Sequence, residues 1–193
     1  MKNLASKHLN NDFYALDATE SAPLLLGKLL CVSTDSGVLR YVITETECYY
    51  GFSDTASHAS RRKTARNAVM FSEGGYLYVY LCYGMYDMLN VVTGQRDHPE
   101  AVLIRGGLFL GDGGETKLLD GPGKLTRHSG ITRGDSGLDC RVSGRIWFED
   151  AGFAPEFEAL PRVGIGYASE EDQKRLWRFR VKAPAAVALD LTV

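Results

Sequence analysis

No apolar run in this chain is long enough to cross a membrane, and its first residues, MKNLASKHLNNDFY, lack the apolar segment of a secretion signal. A cytoplasmic protein is therefore expected, nucleoid-associated if the source is a bacterium, with no membrane partner. Cysteine is scarce: Cys31, Cys48, Cys82 and Cys140 lie far apart and form no C-x-x-C pair. That spacing argues against a disulfide framework and against a structural zinc. Positive charge is not in excess either, with 22 Lys and Arg against 24 Asp and Glu. A protein that coats DNA without specificity is normally basic, so that class is disfavoured. Internal repeats and low-complexity linkers are missing, and 193 residues suit one domain with its own core. The H-x-E and P-C-x-x-C signature of zinc deaminases does not occur, which removes that route to nucleobase chemistry. Gly121-Pro122-Gly123-Lys124 lacks the spacing of a nucleotide-binding P-loop, although Lys124 and the neighbouring backbone can still approach a phosphate.

Aromatic hydroxyls, by contrast, are concentrated. The stretch YLYVYLCYGMYDMLN, residues 76–90, contains Tyr76, Tyr78, Tyr80, Tyr83 and Tyr86. On a strand, Tyr76, Tyr78 and Tyr80 share one face, and Leu77, Val79 and Leu81 occupy the other. Tyr83-Gly84 then forms a hairpin tip. Exposed rings of this kind stack on nucleobases or wedge between base steps. The competing reading is the Tyr-rich edge of a second small core. Charge is also clustered. RRKTAR at 61–66 and KRLWRFRVK at 174–182 each hold several cations and no acid. Each run reads equally well as a phosphate contact or as a solvated face.

The element pattern is strand-rich. Asp17 or Thr19 caps a helical segment carrying Leu24 to Leu30, interrupted by Gly27. Cys31 to Thr34 and Val38 to Glu47 read as strands across an Asp35-Ser36-Gly37 turn, the second with strict alternation. Residues 50–67 read as a polar loop, and 76–82, 85–93 and 101–105 as further strands. Residues 111–123 are glycine-rich turns leading to a helix over 124–129; 145–149 and 163–165 add short strands. Strands adjacent in sequence with few long helices predict a single α+β domain spanning 1–193: a mixed, largely antiparallel, curved sheet flanked by helices, with a protruding hairpin and a flexible lead-in over residues 1–10.

Two further residues carry candidate chemistry. Glu47 ends a strand beside Tyr49 and Tyr50, where a carboxylate can hold and deprotonate a water. A surface Glu such as Glu45 is the plainer alternative. His58, in SDTASHAS, can donate from one ring nitrogen and accept at the other, or be merely structural.

Together these pieces resemble the alkyladenine (3-methyladenine) DNA glycosylase family, the type without a helix-hairpin-helix motif. The matching segments run in order: LLGKLL (25–30), ITETECYYG (43–51), SHAS (57–60), ARNAVMF (65–71), YLYVYLCYGMYDMLNVVTG (76–94), AVLIRG (101–106), GPGKLT (121–126), PRVGIGYA (161–168) and WRF (177–179). The resemblance implies a monofunctional enzyme that flips damaged purines, such as 3-methyladenine, 7-methylguanine, hypoxanthine and ethenoadenine, out of double-stranded DNA and hydrolyses the glycosidic bond. A lesion-binding protein without catalysis on the same fold is the alternative. It further implies Glu47 as general base, and Tyr49, His58 and Tyr80 as walls around the flipped base. Tyr83 would intercalate, and Asn90 would meet the 2-amino group of guanine. Arg105 would hold the nucleotide backbone, and Arg66, Lys124 and Arg162 are expected at the DNA backbone as well. The resemblance implies a monomer needing no cofactor and no metal. The chain departs from the family pattern at Ala65, where Pro is usual, at Tyr50 and Phe52, and at Asp87 near the hairpin.

Overall fold

The computed structural model describes residues 7–185. In chain order the elements begin with β1 (Lys7–His8), α1 (Asn11–Ala15), α2 (Ala18–Leu24), β2 (Leu29–Thr34) and β3 (Gly37–Tyr50). Then come β4 (Leu77–Cys82), β5 (Tyr86–Val92), β6 (Glu100–Leu110), β7 (Thr116–Asp120) and α3 (Pro122–Ser129). The last are β8 (Ile146–Asp150), β9 (Phe157–Leu160), α4 (Glu170–Lys174) and β10 (Arg178–Val181). The fold is α+β, and the strand pairings are antiparallel.

Several elements depart from the sequence expectation for local reasons. Asp17 does cap α2, accepting from the N–H groups of Thr19 and Glu20. The helix stops at Leu24, however, and Leu29 and Leu30 belong to β2. The switch is made at Gly27, whose φ of +82° is left-handed and whose Cβ would lie 2.6 Å from Pro155. Residues 7–10 are not a loose lead-in. They pair with β8, bury Leu9 and cap α1 through Asn10, whereas residues 1–6 lie outside the described residues. The glycine-rich segment contains β7, paired along β6. Residues 163–165 are not a strand; β9 and β10 supply that edge instead.

β3 and β6 form the spine of the sheet. β2 and then β10 line one edge of β3, while β5 and then β7 line the far edge of β6. The register shifts on either side of Glu45 break the expected strict alternation of β3. One face carries the main core, which includes Leu25, Cys48, Leu77, Val79, Val91, Ile104 and Leu125. The opposite face holds a smaller core of Ala59, Met70, Phe71, Tyr78, Val92 and Ala101. Tyr76 and Tyr80 pack against it. The tyrosine face of β4 is thus partly a second core, because the loop over residues 51–72 folds down onto it.

Candidate active site

Sheet register assembles the site. Arg178, Glu47, Leu103, Asn90 and Tyr78 are consecutive partners across β10, β3, β6, β5 and β4. Directly opposed residues point to the same face, so Glu47 and Asn90 lie in one row, about 10 Å apart by two strand spacings. Tyr49 occupies the same face two residues along β3.

Glu47 has no exposed surface. Its Oε1 accepts from the backbone N–H of Val163 at 2.8 Å and lies 3.4 Å from the Arg105 guanidinium. Its Oε2 accepts from the Tyr49 hydroxyl at 3.0 Å. Burial raises the Glu47 pKa above the ordinary carboxylate value, and the Arg105 charge and these hydrogen bonds oppose that rise. Arg105 also bonds Glu45 at 3.1 Å, and Glu45 accepts from Arg178 at 3.0 Å. Two carboxylates and two guanidiniums therefore alternate here. A buried carboxylate held in this way is fixed in orientation and has no covalent partner, which suits a group that receives a proton.

Beside it lies an aromatic pocket. Tyr49, His58, Tyr78, Tyr80, Asn90 and Tyr167 are among its walls. The His58 ring meets Tyr80 edge-on at 4.5 Å, and its Nδ1 is 3.1 Å from the Tyr78 hydroxyl. Burial, and then Arg66, lower the His58 pKa, so its imidazole is neutral at pH 7. Asn90 is 3 % exposed and uses both Nδ2 hydrogens on the carbonyls of Tyr78 and Met88. Its amide therefore cannot rotate freely.

Two loops hold the pocket closed around these walls. Asn67 donates to the carbonyls of His58 and Arg62 and accepts from the Thr64 N–H, which pins the loop that carries His58. This network organises the segment containing Ala65 without the usual Pro. Asp54 accepts two hydrogen bonds from Arg162, and both side chains are fully buried. The Arg162 guanidinium lies 4.9 Å from the Tyr49 ring centroid and 5.0 Å from that of Trp177.

The hairpin tip stands apart. Tyr83 and Gly84 have φ of +50° and +70°, the left-handed pair of a primed hairpin turn. Tyr83 is 81 % exposed and Met85 67 %.

The comparisons with known proteins agree on one family. The family model described as Methylpurine-DNA glycosylase matches residues 12–185. The chain belongs to the methylpurine-DNA glycosylase family. Its members are hydrolases of N-glycosyl bonds. A protein of Methanocella arvoryzae is 42 % identical over 192 residues, covering 93 % of this chain and 95 % of that protein. One of Clostridium novyi is 40 % identical over 196 residues, covering 91 % and 96 %. One of Bdellovibrio bacteriovorus is 42 % identical over 171 residues, covering 84 % and 89 %. All three are provisionally named 3-methyladenine DNA glycosylases.

Within this glycosylase-family fold, Glu47, Tyr49, His58, Tyr80 and Asn90 come together, and Arg105 joins them from β6. Tyr83 and Lys124 line a separate groove, where Lys124 pairs with Asp120 at 2.6 Å. Arg66 lies over the Tyr80 ring at 5.4 Å. Arg162 does not fit the expected DNA-backbone contact, since its guanidinium is buried on Asp54. The two basic runs also part ways. In 174–182, the five cations each have an acidic partner: Glu170, Glu171 with Asp172, Glu45, Glu158 and Glu156. Residues 61–66 are exposed, and among the described residues no ion pair engages Arg61, Arg62, Lys63 or Arg66. Asp87 is offset by Arg133 at 3.2 Å. Tyr50 and Phe52 pack edge-on against His98.

Sequence reasoning missed Asn67, Asp54, Tyr167 and the Val163 N–H. The Thr64-x-x-Asn67 spacing is a legible turn signal. A backbone N–H donated from 116 residues away has no signature in composition or spacing.

Proposed function

We propose that this protein is a monofunctional DNA glycosylase that flips a damaged purine from duplex DNA and hydrolyses its N-glycosidic bond, with Glu47 as general base. The observation that carries this reading is the fully buried Glu47 carboxylate, held by Val163, Tyr49 and Arg105 on the sheet face that also bears the aromatic pocket.

Glu47 accepts a proton from water as the water oxygen bonds to the anomeric carbon. The bond to the purine breaks, and its electron pair leaves with the base. The positive charge that builds on the sugar is stabilised by the same carboxylate. Arg105 favours the ionised form of Glu47 against the rise that burial causes, and Val163 and Tyr49 fix its direction. An N-alkylated purine already carries positive charge, so it departs neutral without a separate acid. Tyr49, His58 and Tyr80 in the walls supply aromatic rings, whose faces favour a cationic base. Stacking of this kind contributes roughly 1–3 kcal/mol per base. That offsets the few kcal/mol needed to unstack and unpair the nucleotide. Asn90, locked by its two donated bonds, cannot turn aside and disfavours by steric contact a base that carries a 2-amino group; the cationic 7-methylguanine bears that cost because its glycosidic bond is already weakened. Tyr83, at the exposed tip, enters the vacated space, and the cations of 61–66, Arg66 among them, meet phosphates together with Lys124, which exchanges Asp120 for a phosphate. Among the described residues no lysine lines the aromatic pocket, so strand cleavage by Schiff-base chemistry is not expected. The proposed substrates are the cationic 3-methyladenine and 7-methylguanine, which leave neutral, and the neutral hypoxanthine and ethenoadenine, which leave as anions and take a proton from solvent.

The test is a panel of duplexes, each with one of these lesions, assayed for free base and for strand breaks. Released base with strands intact until alkali is added is the expected result. Tight binding with no base released from any lesion would instead establish a lesion-binding protein.

A further inference from the structure

The aromatic pocket is too small for its proposed ligand. Only about 20 Å³ of space remains between its walls, room for about one water. A two-ring base is several times larger, so a wall must move before one can enter.

Most walls cannot. Tyr78, Met70 and Ala101 are at most 2 % exposed within the second core. Tyr49 is tied to Glu47 and covered by Arg162. Asn90 is held by two backbone carbonyls. His58 is exposed, but its ring packs edge-on on Tyr80 at 4.5 Å, its Nδ1 meets the Tyr78 hydroxyl and its carbonyl is held by Asn67. Tyr167 differs from all of these. It is 67 % exposed, and its hydroxyl donates a single hydrogen bond, 2.8 Å, to the Ala56 carbonyl. Its ring thus spans from the 161–168 loop to the 51–60 loop across the pocket. Gly166 precedes it, and Gly164, with φ of +77°, lies three residues back with open space around its Cβ position. An exposed ring on a glycine-flanked segment, fastened at one atom, is the wall that moves at least cost.

We infer that Tyr167 is a gate on this pocket: it swings off the Ala56 carbonyl to admit the flipped base, and the space its ring keeps limits how large a base is accepted. This rests on the glycosylase reading, because the ligand is the flipped purine. The closed form is unproductive, so apparent affinity is lowered by the open fraction. A neutral hydrogen bond at the latch changes that fraction roughly 2- to 12-fold.

The test uses the full-length protein, Tyr167→Phe and Tyr167→Ala, with single-turnover base release from duplexes carrying 3-methyladenine or the three-ring ethenoadenine. Tyr167→Phe keeps the ring and removes the latch. It should lower the duplex concentration giving half-maximal rate by roughly 2- to 12-fold for both lesions. Tyr167→Ala removes the ring as well and should raise the ethenoadenine to 3-methyladenine rate ratio by about tenfold or more, the equivalent of one well-packed group in a pocket. That ratio is insensitive to the fraction of protein folded. If the wild type releases base but neither variant changes half-saturation or the ratio by more than about twofold, the gate is overturned and the glycosylase reading stands. If the wild type releases no base from any lesion, both are overturned.

Discussion

Glu47→Gln separates catalysis from binding and from folding. Gln is isosteric, and each local hydrogen bond can be rebuilt. Its Oε1 can accept from the Val163 N–H, and its Nε2 can donate to the Tyr49 hydroxyl, which reverses its own proton. Arg105 loses one carboxylate but keeps Glu45 at 3.1 Å. Against that loss stands the relief of no longer burying a charge with no exposed surface, and Arg105 is not left uncompensated because Glu45 remains its partner. The folded state should therefore stay within about 1 kcal/mol of wild type at pH 7, or roughly 2–4 °C in Tm for a chain of this size. Catalysis should fall much further. Removing a general base slows the reaction about 10²- to 10⁴-fold, or roughly 2.7–5.5 kcal/mol of barrier at 1.36 kcal/mol per decade. The assay is single-turnover release of 3-methyladenine, with lesion-duplex affinity and thermal melting measured in parallel. Base release at the wild-type rate would remove Glu47 from the role of base. A Tm fall of more than about 10 °C would show that the ion pair with Arg105 chiefly holds the fold, against the desolvation reasoning.

Glu47 also sets the pH response. Its pKa is raised in the folded protein, so ionisation is harder there than in the unfolded chain. The stability it contributes is thus fully present below the unfolded pKa and lost as pH rises through the folded one. Melting at pH 4 and pH 7 should show Glu47→Gln gaining relative to wild type at the higher pH, and the acid limb of single-turnover base release should lie above the ordinary carboxylate value. Asp54→Ala leaves the Arg162 guanidinium buried and uncompensated, which costs about 3–5 kcal/mol. Urea unfolding should report that loss, and the Asp54→Leu/Arg162→Leu double variant should recover much of it. Tyr83→Ala should leave stability within about 0.5 kcal/mol, as expected for a side chain 81 % exposed. Excision from a lesion duplex should nevertheless weaken roughly 5- to 150-fold, the value of one stacked ring, and an unchanged half-saturating duplex concentration and rate would exclude the wedge.

Much of the site was legible because its elements carry local signals. The strand that ends beyond Glu47, the paired tyrosines of β4 and the Tyr83-Gly84 turn each follow from short-range signals and from the left-handed φ that the tip requires, whereas the strict alternation expected of β3 is broken by the shifts around Glu45. The boundary of α2 was misplaced because five leucines suit a helix or a strand equally well. Only the close approach of Pro155 to Gly27 forces the change. Arg162 reads as a surface cation in sequence, and nothing near it in the chain announces Asp54, 108 residues away.

The sequence by itself determined which chemical groups this protein has, the strand-rich α+β class, the hairpin with its exposed ring, and the family. Those properties depend on neighbours within a few residues or on the order of motifs. The tertiary structure decided which groups meet. Register across five strands sets Glu47 and Asn90 in one row, and loop packing turns half of the tyrosine face into a second core. Ion pairing separates the two basic runs, leaving 61–66 open and consuming 174–182. A carboxylate becomes a buried, oriented base only when a distant backbone N–H, a guanidinium and a phenol converge on it, and that convergence is a property of the packed chain.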